Sequence, residues 1–64
     1  AWYYGEILRD RRKQLKITQQ ELAEKVGTAR SYIARVEKGE TDIQISSFFR
    51  IARALGIEFT PTFL

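Results

Sequence analysis

Between residues 18 and 39 the chain reads TQQELAEKVGTARSYIARVEKG, two apolar stripes at helical spacing interrupted by a glycine. Leu22, Ala23 and Val26 make the first stripe, and Ile33 and Val36 make the second. Thr18 followed by Glu21 has the S/T-x-x-E form of a capping box, with Ile17 and Leu22 placed as a hydrophobic staple. A helix is therefore predicted over 19–26. Gly27 ends it, because glycine takes the left-handed conformation at little cost. Thr28 is the predicted N-cap of the next helix, over 29–37, which Gly39 closes. Two short helices joined by a glycine and a cap have the sequence form of a helix-turn-helix, in which the helices cross at about 90–120°. Ala23 falls where two crossing helices approach too closely for a larger side chain.

The rest of the chain is read around this pair. Tyr4, Ile7, Leu8, the stem of Arg11 and Leu15 follow the i, i+3, i+4 pattern of an amphipathic helix over about 3–15. Phe48, Ile51, Ala52 and Leu55 make the stripe of another over about 46–55, with Gly56 just beyond it. Residues 40–44 read as a polar loop. After Gly56 the period changes to two, and residues 57–63 are predicted as a short extended strand that Pro61 confines to an edge. The expected fold class is all-α: a compact four- to five-helix domain occupying all of 1–64, with a C-terminal strand.

With 64 residues, 44% of them hydrophobic, the chain forms one small domain with a marginal core. It holds no Cys and no His, which removes disulfides and the usual zinc sites. No nucleophile, acid-base pair or carboxylate cluster is evident, so no enzyme activity, metal or cofactor is expected. No apolar run approaches a membrane span, and the start lacks the order of a signal peptide. A cytoplasmic protein without membrane contact is the expectation. Eleven Lys and Arg against eight Asp and Glu give +3 and a pI near 9.6, which points to an acidic partner.

The segments TQQELAEKVG, ARSYIARVEKG and RIARALGI resemble the Xre family of phage-repressor-like DNA-binding domains over about residues 5–59. The resemblance implies a repressor-like regulator that binds operator DNA as a two-fold dimer. By position, Arg30, Ser31 and Arg35 match base-reading residues of the recognition helix. Gln19 matches a phosphate-gripping glutamine. Arg12 and Glu37 match a partly buried ion pair joining the first helix to the third. Recognition helices present their N-terminal residues to the base edges, and Arg30 and Arg35, about 140° apart on the helix, both avoid the Ile33 and Val36 face. Arginine to guanine O6 and N7 is the commonest specific contact, so at least one G·C pair is expected per half-site.

Gln20 and Thr28 offer backbone-contacting groups, as do Arg9, Lys13 and Lys38; Tyr32 either joins them or packs. Two departures from the family stand out. The loop GETDIQ carries Glu40 and Asp42 where relatives carry basic residues, and GIEFTPTFL resembles the terminal strand of antitoxins of the HigA and HipB type. An antitoxin that neutralises a toxin and regulates its own operon is accordingly the alternative function. A lone strand needs a partner, so a homodimer with Phe49, Phe59 and Phe63 at its interface is expected.

Overall fold

The computed structural model describes residues 2–58, with side chains from residue 4 onward. The described residues form four helices and no strand: α1 (Trp2–Gln14), α2 (Gln19–Val26), α3 (Arg30–Lys38) and α4 (Ile45–Ala54). α1 and α2 both pack on α3, and α4 packs on α2. Leu8 of α1, Leu22, Ala23 and Val26 of α2, Ile33 and Val36 of α3, and Ile51 and Ala52 of α4 make the buried core, with Leu55 just after α4. Ala23 is 0% exposed. A larger side chain there overpacks the interior, at roughly 1–3 kcal/mol.

Local chemistry sets the element boundaries. At the start of α2, Thr18 Oγ1 accepts the Glu21 N–H at 3.0 Å, and the Glu21 carboxylate accepts the Thr18 N–H at 2.8 Å. That reciprocal pair satisfies two of the amide donors that a helix start leaves open. It also holds the Glu21 carboxyl below its ordinary pKa of 4.5, through the Thr18 backbone N–H first and the Thr18 hydroxyl second.

All four helices stop in the same way. One or two residues past each helix the backbone turns left-handed: Lys16 at φ 59°, Gly27 at 75°, Gly39 at 73° and Gly56 at 74°. The following N–H then turns back onto the last helical turn: Ile17 to Arg12 O at 3.3 Å, Thr28 to Ala23 O at 2.9 Å, Glu40 to Arg35 O at 2.9 Å and Ile57 to Ala52 O at 2.9 Å. This is the six-to-one bond of the Schellman motif.

That motif corrects one boundary. Thr28 is not the N-cap of α3. Its amide belongs to the closure of α2, so the extended cap conformation passes to Ala29, at φ −83° and ψ 148°, which has no side chain able to cap. Similarly, α4 begins one residue earlier than predicted, at Ile45, with Gln44 as its N-cap and no side-chain capping bond.

α1 departs further from its expected stripe. Leu8 is buried, but Leu15 is 41% exposed and Tyr4 is 50% exposed. Arg11 does not serve merely through its stem: its Nε donates to the Leu55 carbonyl at 3.0 Å, closing the end of α4. Gly5 is where α1 touches α3. A Cβ there would run into the Val36 carbonyl oxygen and lie 3.1 Å from that of Glu37.

The extended tail predicted over 57–63 is not supported. Ile57 packs half-buried against the core, and Glu58 is exposed without regular structure. The remainder of that prediction, Phe59 and Phe63 included, lies outside the described residues.

Candidate nucleic-acid interface

α3 buries Ile33, Val36 and Glu37. At about 100° per residue, the opposite side is a crest made by Ser31, Arg35 and Lys38, all exposed. Arg30 and Tyr32 lie on its two flanks. Arg30 is exposed on the flank that faces α2, whereas Tyr32 is half-buried and packs against the core from the other.

The Arg30 flank carries a continuous polar chain. Arg12 donates to Glu37 through Nε at 2.7 Å and through a terminal nitrogen at 3.0 Å. The side chains of this pair are only 11% and 4% exposed. Gln19 Nε2 donates to the same carboxylate at 3.0 Å, and Gln19 Oε1 accepts from Arg30 at 3.3 Å. Arg12 also donates to the Ile17 carbonyl at 2.9 Å, tying the linker between α1 and α2 to the same centre. Planar bidentate pairing suits arginine, and the additional donor from Gln19 helps satisfy a carboxylate that is costly to bury. A buried ion pair is thereby connected, through one amide side chain, to an exposed guanidinium at the start of α3.

The remaining candidates are placed as follows. Gln20 is exposed and donates to Glu24 at 3.2 Å. Thr28 is half-buried at the turn. Arg9 is paired within α1, to Glu6 at 3.6 Å and Asp10 at 3.2 Å. Lys13 is exposed, as are Glu40 and Asp42 in the loop after α3. Phe49 is 47% exposed in a separate apolar groove of about 350 Å³ lined by Tyr4, Ile43, Ile45 and Phe48. Phe48 anchors that groove, meeting the Tyr4 ring edge-on at 5.3 Å and the Phe49 ring at 5.8 Å. No group of His, Cys, Asp or Glu suited to a metal occurs among the described residues, and none of their helices is long and apolar enough to cross a membrane.

A glycine-closed helix crossed by a second helix with an exposed basic crest defines a helix-turn-helix domain. The model of the helix-turn-helix family matches residues 8–61, and the chain belongs to that family. Among curated proteins, it is 48% identical over 52 residues to an uncharacterized HTH-type transcriptional regulator of Methanothermobacter thermautotrophicus, covering 81% of this chain and 75% of that one. It is 39% identical over 54 residues to the immunity repressor protein of Bacillus phage phi105, covering 84% of this chain but only 38% of the repressor. Among solved structures, the restriction-modification controller protein C.AhdI from Aeromonas hydrophila superposes with a TM-score of 0.81 at 34% identity, covering 86% of this chain and 83% of that one.

Two features of the site escape a reading of the sequence. The Gln19 bridge joins residues 18 and 11 positions apart, and no local pattern signals it. Gly5 reads as a weak point in a helix until α3 is seen against it.

Proposed function

We infer that the chain is a sequence-specific DNA-binding transcriptional regulator, acting as a repressor, with α3 in the major groove of duplex DNA. The observation that carries this reading is the exposed crest of α3: Ser31 and Arg35 project from the helix while its other face is locked into the core. Arg30 and Arg35 read base edges, most favourably guanine, and Ser31 adds a hydroxyl contact. Gln19 positions Arg30 through its carbonyl oxygen, and its remaining amide hydrogen, with the amides at the start of α2, serves a phosphate. Gln20, Thr28, Lys13 and Lys38 supply further backbone contacts. Arg9 contributes less, since Glu6 and Asp10 already offset its charge.

The regulator acts as a homodimer on a palindromic operator with half-sites about one helical turn apart. Its apolar groove around Phe49 is the surface that suits a second copy. Such a protein works in the cytoplasm, on the DNA itself. Nothing observed favours a toxin partner.

Binding to a pool of random duplexes, followed by selection, tests the reading. Log K is expected to fall linearly with log salt, and the selected sites are expected to be two-fold symmetric with a G·C pair in each half. Binding that is indifferent to salt, or selection that yields no shared sequence, contradicts it.

A further inference from the structure

α3 has two flanks, and only one is accounted for by the Gln19 chain. On the Tyr32 side, a cleft of about 170 Å³ opens between the turn after α2 and the side of α4, and its polar lining is Thr28, Tyr32, Ser47 and Arg50. Arg50 is exposed, and among the described residues it has neither a carboxylate partner nor a hydrogen bond. It shares this with Arg35 and Arg53, whereas Arg9, Arg11, Arg12 and Arg30 are each engaged within the protein.

From this arrangement we propose that Arg50, with the hydroxyls of Ser47 and Thr28, seats a backbone phosphate of bound DNA on the flank of α3 opposite Gln19. The proposal rests on the placement of α3 in the major groove and deepens it. A helix lying in that groove runs between two phosphate backbones, so a reader gripped on one flank alone is free to roll about its own axis. Gln19 and the start of α2 hold one backbone. The other backbone requires a cation on the Tyr32 side, and the loop that follows α3 carries acid, in Glu40 and Asp42, and no Lys or Arg. Arg50 comes from a different element, α4, and reaches the same flank across the turn. An arginine beside two hydroxyls suits a phosphate: the planar donors engage two oxygens, and the hydroxyls donate to the oxygens left over. The seat is blind to base identity, because it touches no base edge.

Arg50→Ala and Arg50→Lys, both exposed substitutions, separate this seat from base reading. Affinity for a mixed-sequence duplex is measured by fluorescence anisotropy between 50 and 200 mM salt. Arg50→Ala is expected to weaken binding roughly tenfold on selected and scrambled duplexes alike, and to reduce the slope of log K against log salt by about 0.9 per bound chain. Arg50→Lys is expected to keep the slope. On a selected duplex, replacing backbone phosphates one at a time with uncharged methylphosphonate should reveal one position per half-site whose loss weakens the wild type but not Arg50→Ala. A wild-type slope retained by Arg50→Ala, or the same methylphosphonate profile in both proteins, overturns the seat while leaving the DNA reading intact. A wild type that shows no salt-dependent binding overturns the DNA reading, and the seat with it.

Discussion

Glu37 is the residue on which the interior and the surface meet. It is 5% exposed, accepts two hydrogen bonds from Arg12 and one from Gln19, and through Gln19 it steadies Arg30. Removing either charge of a buried pair strands the other, at about 3–5 kcal/mol, whereas replacing both with apolar residues is far milder. A 64-residue domain has only about 3–10 kcal/mol in total. Urea denaturation should therefore find Arg12→Met and Glu37→Met each largely unfolded or severely weakened, with the double variant more stable than either; additive losses would show that the pair contributes no coupling. The ion pair was suggested by the resemblance of the sequence to its family, whereas its link to Arg30 was not. The reason is physical: Gln19 reads locally as the first residue of a helix, and only packing of α2 on α3 brings it between residues 30 and 37.

At the scale of elements, the turn between α2 and α3 was legible because its signals are local. A capping box and a left-handed glycine act within one helical turn, so Thr18, Glu21 and Gly27 declare the ends of α2 without reference to anything else. Thr28 misleads for an equally local reason, since a threonine ahead of a helix reads as a cap unless the backward bond to Ala23 is known. Lys16 hides a closure because it performs the job of a glycine at positive φ. These positions carry predictions. Ala29→Ser supplies the missing cap and should raise stability by about 1 kcal/mol. Lys16→Gly removes left-handed strain of about 1–2 kcal/mol, part of which returns as glycine's backbone entropy. Both are read from the urea midpoint, and a fall in midpoint contradicts the cap or the strain. Glu21 adds a pH dependence of known sign. Its folded pKa is depressed, so its contribution is present above about 4.5 and is lost as pH falls through the folded value. Glu21→Gln should be less stable than wild type at pH 7, with the gap closing in acid; a gap that widens in acid contradicts the assignment.

For the whole molecule, the decisive fact is asymmetry about α3. One side of that helix completes the core, and the other carries Ser31, Arg35 and Lys38 into solvent between the Gln19 chain on one flank and Arg50 on the other. The exposure of Arg35 followed from the sequence once Ile33 and Val36 fixed the inward face, because helical geometry then leaves few choices for it. The flanks did not follow, since they are assembled from α1, α2 and α4. The tail pattern shows the opposite failure over its described residues, Ile57 and Glu58. Alternation of apolar and polar residues is a weak signal over so few positions, and Ile57 is drawn into the core by the closure after α4 rather than into a strand. Groove placement of α3 is decided most directly by which side chains meet the bases. Base preference should be profiled on duplexes selected by the wild type, comparing wild type with Arg30→Ala and Arg35→Ala. Each variant is expected to lose about 1–3 kcal/mol of discrimination at its own G·C position while retaining the wild-type preferences elsewhere. Profiles that match the wild type at every position in both variants would contradict the placement of α3 in the major groove.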